Sequence, residues 1–192
     1  MDDELRNNIL LLKNGNKEAF DFIYHHYSQK IYKSALYITK NVQESEDIVQ
    51  DTFLSCWTNI GSLKAPEAFS AWLTKIMMRT AIKKLKGKNH ITSLDSLTDD
   101  SDTASFESLL QDNETPMPDD YIQSNELKAI LTKAILDLDL KQRSVIVLFY
   151  YNELSIKEIS SSLNIFEGTV KSRLNAGRNN IRYFLEKSGY SL

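Results

Sequence analysis

The chain has 192 residues, with 23 Lys plus Arg against 26 Asp plus Glu, 42% apolar residues, a single Cys and three His. That balance is ordinary for a globular protein and excludes wholesale disorder. The longest apolar run, Val145 to Tyr151, falls far short of the ~20 residues that cross a bilayer, and Cys56 with three His offers neither an internal disulfide nor a zinc cluster. Met1-Asp2-Asp3-Glu4 is acidic where a signal peptide is basic, so the expected location is the cytoplasm.

A net charge of -3 argues against a nucleic-acid partner only until it is resolved along the chain. Residues 1–12 carry -2. Residues 13–90 hold twelve bases and seven acids, residues 91–120 hold nine acids and no base, and residues 121–192 hold ten bases and seven acids. Two basic blocks therefore flank an acidic one that also contains Pro116 and Pro118 and little to bury, the composition of a linker. The expected organisation is two small helical domains, 1–92 and 123–192, joined by a linker over 93–122.

In chain order, Asn41-x-x-Glu44 reads as a helix start, and Ile48, Val49, Phe53, Cys56, Trp57 and Ile60 recur every three or four residues, which predicts an amphipathic helix. Gly61 falls near its end. Pro66 and Glu67 suit a first helical turn, because proline lacks an N-H that would be unpaired there anyway. Phe69, Trp72, Leu73, Ile76, Met77 and Ala81 mark the next helix, and Gly87 lies near its end. Its second half carries Lys75, Arg79, Lys83, Lys84, Lys86 and Lys88 with no acid. Lys75, Arg79 and Lys83 are four apart and stack on one face opposite the Trp72, Leu73, Ile76 stripe. Such a row suits a phosphate backbone, and Phe69 and Trp72 offer stacking faces for single-stranded bases; the plainer alternative is core aromatics with solubilising lysines.

Beyond the acidic block, Asp139-x-x-Gln142 and Ser155-x-x-Glu158 are further capping signals, and Val145 to Leu148, though locally alternating, reads as buried helix between them. Ser155 to Leu163 is a short helix with Ile156, Ile159 and Leu163 inward. Asn164 occupies a turn that commonly needs a left-handed residue. A second helix from about Gly168 to Leu185 follows, with Val170, Leu174, Gly177, Ile181 and Phe184 on its core stripe. This is the layout of a helix-turn-helix, and its second helix leaves Thr169, Lys171, Ser172, Arg173, Asn175 and Arg178 off the stripe to meet bases and phosphates. Spacing alone fits an ordinary helical hairpin equally well. The fold class is all-α, without internal repeats, and no metal or cofactor is expected. His25-His26 has no carboxylate or thiol partner at a meaningful spacing, so an enzyme is not expected.

The residues also carry a family resemblance. Ala19-Phe20 to Tyr27, Glu44-Ser45-Glu46-Asp47-Ile48-Val49-Gln50-Asp51-Thr52-Phe53 with Trp57, and Phe69-x-x-Trp72-Leu73 resemble region 2 of the sigma-70 family. Leu138-Asp139-Leu140-Lys141-Gln142-Arg143, Ser155-x-x-Glu158-Ile159 and Gly168-Thr169-Val170-Lys171-Ser172-Arg173-Leu174 resemble region 4. Two regions alone, joined by a short linker, are similar to the extracytoplasmic-function (ECF) subgroup. The resemblance implies a dissociable promoter-selecting subunit of bacterial RNA polymerase. Asp47, Gln50, Asp51 and Phe53 would bind core polymerase. Lys64, Trp72, Lys75, Arg79, Lys83 and Lys84 would hold the minus-ten DNA strand, with one flipped base in a pocket partly built by the loop Gly61 to Ala65. Thr169, Lys171, Ser172, Arg173, Asn175 and Arg178 would read the minus-thirty-five element, and an anti-sigma factor would be a further partner. The acidic linker would imitate nucleic-acid charge near the active-site cleft, the alternative being a solvated tether. A free-standing helix-turn-helix regulator is the competing function. Three departures stand out: Arg79 where many members have Asn, Ala176-Gly177 for a common Arg-Ala pair, and Phe166 where Ser or Thr usually caps the recognition helix.

Overall fold

The computed structural model describes residues 1–89 and 120–190; most of the acidic linker lies outside them. Among the described residues the elements are helices and no strand. The helices are α1 (Asp3–Lys13), α2 (Lys17–Thr39), α3 (Val42–Asn59), α4 (Phe69–Asn89), α5 (Asp120–Asp137), α6 (Leu140–Ile146), α7 (Ile156–Leu163) and α8 (Glu167–Lys187). Short 3-10 turns over Ile60–Ser62 and Pro66–Ala68 join α3 to α4, and α6 runs on as a π-helical turn over Val147–Tyr151.

Local chemistry sets most of these boundaries. The first four N-H groups of a helix have no partner within it, and a short polar side chain just before it supplies one, worth about 1 kcal/mol. Asp2 accepts from the Leu5 amide at 2.7 Å, Asn16 from Ala19 at 2.8 Å, Asn41 from Glu44 at 3.0 Å and Asp139 from Gln142 at 2.8 Å. Ser155 and Glu158 close a full capping box: the Glu158 amide donates to Ser155 Oγ at 3.3 Å and the Ser155 amide to Glu158 Oε2 at 2.8 Å. Helix α7 ends where Asn164 turns left-handed at φ 55°, as the sequence leads one to expect.

The core faces follow the sequence pattern with two differences. On α4 the fully buried positions include Leu73, Thr74, Met77, Met78 and Ala81, a wider face than the Trp72, Leu73, Ile76 stripe, because α4 packs against α2 and α3 on one side and α7 on the other. On α8 the buried line is Val170, Leu174, Gly177 and Leu185, while Ile181 and Phe184 are half-buried. Gly177 has a steric reason to be glycine: a Cβ there would lie 2.9 Å from Ile146 Cγ1 on α6.

The two sequence halves share one apolar core. It runs from Ile9, Ile23, Ile48, Phe69 and Met77 through Val145, Leu148 and Ile159 to Val170 and Leu174. Leu36 of α2 also meets Leu136 of α5. Each such side chain taken out of water stabilises the fold by about 1.5 to 3 kcal/mol. Arg143 lies within this interior at 1% exposure. Its guanidinium donates to the carbonyls of Leu136 (3.0 Å) and Leu138 (2.7 Å) in its own half and of Ile38 (3.4 Å) in the other.

Candidate nucleic-acid interface

Three surfaces hold the residues singled out from the sequence. The first is the outer face of α3 with the adjoining edge of α4. Asp47, Gln50 and Asp51 stand on it beside Leu54, a leucine 59% exposed and facing away from the core stripe of its own helix. Asp51, Leu54, Ser55, Thr58, Thr80, Lys83 and Lys84 line a groove of about 500 Å³. Lys84 donates to Asp47 Oδ2 at 2.9 Å and lies 3.7 Å from Asp51 Oδ2. Lys84 is therefore paired with the carboxylates of α3, while its neighbour Lys83 lines both this groove and the cleft of the basic row. Phe53, 2% exposed, lies beneath this face, edge-on to Phe20 and tilted against Tyr24.

The second surface is the basic row of α4. Lys75, Arg79, Lys83 and Lys86 line a cleft of about 540 Å³, and its far wall is α7 with Ser161 and Asn164. Lys75 Nζ donates to Ser161 Oγ at 2.7 Å. Trp72 sits at the rim, half-buried, tilted against Phe69, with its indole N-H 3.3 Å from Ser62 Oγ. The loop before α4 is pinned by Lys13, which donates to the Leu63 carbonyl at 2.8 Å, and Lys64 is left exposed. The stacking pair of the sequence reading separates here, since Phe69 is wholly in the core and only Trp72 has an accessible edge.

The third surface is the N-terminal half of α8. Lys171, Ser172, Asn175 and Arg178 are exposed, and Thr169 and Arg173 are half-buried. Arg178 Nε donates to the Tyr150 hydroxyl at 2.7 Å, and its guanidinium stands 5.6 and 5.5 Å from the rings of Phe149 and Tyr150, so the π-helical turn supports it. Phe166, at the N-cap, supplies no side-chain hydrogen bond and is 87% exposed.

Among the described residues no group of three His, Cys, Asp or Glu is placed to hold a metal, and no helix is long and apolar enough to cross a membrane. His25 and His26 lie on the surface of α2. Cys56 is fully buried, and burial pushes its thiol up to about 12, the environment of a small apolar side chain, not of a nucleophile.

Comparison with known proteins fits this arrangement. The model of sigma-70 region 2 matches residues 23–91 and that of sigma-70 region 4 matches residues 128–181. The ECF RNA polymerase sigma factor SigW of Bacillus subtilis is 35% identical over 182 residues, 95% of this chain and 97% of that protein. The chain belongs to the ECF RNA polymerase sigma factors of the sigma-70 family. The RNA polymerase sigma-H factor of Pseudomonas aeruginosa is 28% identical over 168 residues, 85% of this chain and 84% of that one. In fold, the chain resembles the sigma factor RpoE of Bartonella quintana, solved in complex with the anti-sigma factor NepR, with a TM-score of 0.62, 20% identity, and 87% and 96% of the two chains covered.

Leu54, the Phe149-Tyr150 shelf and the buried Arg143 escaped the sequence reading. Leu54 had a signal, an apolar residue off its helix's core stripe between an acid and polar neighbours. The other two had none, because their roles depend on which helices meet.

Proposed function

We propose that the chain binds bacterial core RNA polymerase and directs initiation at promoters, acting in the cytoplasm as a dissociable subunit with no catalytic centre or cofactor of its own. The α3 face with Asp47, Gln50, Asp51 and Leu54 docks on core polymerase, joining an apolar anchor to a carboxylate rim. Lys75, Arg79 and Lys83 of α4, with Trp72 and Lys64, hold the single-stranded minus-ten element; the cations neutralise phosphates and the indole edge stacks on a base. Lys171, Ser172 and Asn175 at the exposed end of α8 reach base edges of the minus-thirty-five element, and Thr169, Arg173 and Arg178 fix the helix on the backbone. Residues 1–92 and 123–192 form the two functional units, and 93–122 connects them. An anti-sigma factor is the expected regulatory partner, as it is for the Bartonella relative.

The observation that carries this reading is the presence, on one chain, of both region matches with an exposed acidic-apolar face on α3 and an exposed polar end on α8. A free-standing regulator would need only the second half. The decisive experiment reconstitutes the purified protein with core polymerase on promoter templates. Promoter-directed transcripts are expected. A chain that fails to bind core, or that binds a duplex operator tightly as a dimer without core, overturns the reading.

A further inference from the structure

We propose that Phe166 is a specificity-determining residue of the minus-thirty-five contact, and that its ring reads the 5-methyl group of one thymine in the major groove. This inference deepens the function proposed above and rests on it.

The fold makes little use of this side chain. Phe166 is 87% exposed, the most exposed of the large apolar residues among those described, whereas Ile165 and Val170 on either side of it pack into the core. Those two stand just before the N-cap and at the fourth helical position, the places that close a hydrophobic staple, so the turn is fastened without the phenylalanine. Phe166 also occupies the N-cap of α8, at φ -68° and ψ 147°, with no side-chain hydrogen bond, where a Ser or Thr hydroxyl would accept an amide proton. Neither packing nor capping accounts for it. The next residue differs: Glu167 is an acid in the first turn, where the helix dipole stabilises it.

The backbone that presents the ring is held on both sides. The Phe166 carbonyl accepts from the amides of Thr169 at 2.9 Å and Val170 at 3.1 Å. Before it, the Ile165 carbonyl accepts from Ser160 Oγ at 2.6 Å, and the Ile165 amide donates to the Ser160 carbonyl at 3.2 Å. A ring with two rotatable bonds on a fixed backbone loses little entropy when a ligand orders it.

Position and chemistry then select the ligand. In a helix-turn-helix the N-terminal end of the second helix is the part set against base edges, and Phe166 heads that end, ahead of the exposed Lys171, Ser172 and Asn175. A phenyl ring offers nothing to a phosphate. The apolar feature of the major groove is the thymine methyl, which cytosine lacks, so a ring placed there favours thymine.

The test uses holoenzyme, this chain with bacterial core polymerase, on duplex promoters randomised over the minus-thirty-five element. Sequences enriched by the wild type should carry thymine at one position. Deoxyuridine there removes only the methyl group and should weaken binding about fourfold, the effect of one methyl group taken out of water. Phe166→Ser should bind the thymine and deoxyuridine duplexes alike and enrich that position less, while it resists denaturant better than the wild type. A change of cap geometry alone does not produce that pattern, because the two duplexes differ only by the methyl group. Enrichment with no deoxyuridine effect, or a Phe166→Ser variant that still distinguishes the duplexes, overturns the role of Phe166 and leaves α8 as the reader. Loss of core binding in Phe166→Ser assigns the ring to the polymerase surface and overturns the inference equally. If no sequence is enriched over the randomised positions, the assignment of α8 to the minus-thirty-five element falls, and this inference with it.

Discussion

Helices α4 and α8 look alike in sequence, each amphipathic with a cationic polar face, yet the protein treats them differently. The basic row of α4 is walled by another helix, and Lys75 already has a hydrogen-bond partner. The N-terminal half of α8 faces solvent, with Lys171, Ser172 and Asn175 exposed and Arg178 propped on an aromatic shelf. Charge pattern predicts what a helix face will attract. Whether that face is available depends on what packs over it, and here the shared core of the two halves places α7 there.

The contrast is broken most severely at Arg143. Arg143→Ala leaves buried carbonyls in both halves without a donor and should cost about 3 kcal/mol. Trp57 and Trp72, the only tryptophans, both lie in the first half. Denaturation followed by their fluorescence should therefore shift together with helix content although the substitution is in the second half; two separated transitions would show the halves to be uncoupled. The open surface is probed by Lys171→Ala, expected to weaken minus-thirty-five binding in the holoenzyme by about 1 to 3 kcal/mol if the lysine reads a base, or to lower the salt slope by about one if it touches only phosphate.

Gly177→Ala sharpens the role of packing on α8. Alanine gains up to ~1 kcal/mol of helix propensity, but its Cβ would meet Ile146 at 2.9 Å and overpack the α6 contact by about 1 to 3 kcal/mol. A net loss of about 1 kcal/mol in chemical denaturation is expected; a gain would mean that α6 and α8 are loosely packed. At the other end of the helix the sign reverses. Phe166→Ser restores a missing cap at a site where the phenylalanine packs on little, and should stabilise by about 1 kcal/mol.

The smallest effect comes from Cys56. Its thiol stays protonated in the fold up to about pH 12, whereas in the unfolded chain it ionises from about pH 9. The folded state then binds more protons than the unfolded one, so this group's contribution to stability falls as pH rises through that window, by about 0.4 kcal/mol at pH 9 and more above it. Stability curves of wild type and Cys56→Ala measured between pH 7 and 10 should differ by that slope; parallel curves would place the thiol in water.

The helices, their caps and most inward faces were legible in the sequence, because each depends on residues a few positions apart. Asn41, Asp139, Ser155 with Glu158, and the left-handed Asn164 all act as their spacing predicts. The candidate DNA-facing residues of α8 were legible for the same reason. Phe53 lies within an acidic, surface-like segment, yet its own place on the stripe puts it in the core. The partner of Lys84 was not legible, because a lysine stem reaches either of two faces and only the position of α3 directs it to Asp47.

By itself, the sequence determined an all-α chain, two basic blocks around an acidic one, and the motifs of two sigma regions, all written in local spacing and composition. Tertiary structure decided that the two halves share a core, that Arg143, Ser34 and Asn152 find hydrogen-bond partners across more than a hundred residues of chain, and that α7 walls one side of the cleft lined by the basic row of α4. Those contacts are long-range, and a buried polar group is recognised as part of a clasp only when its distant partner is in place.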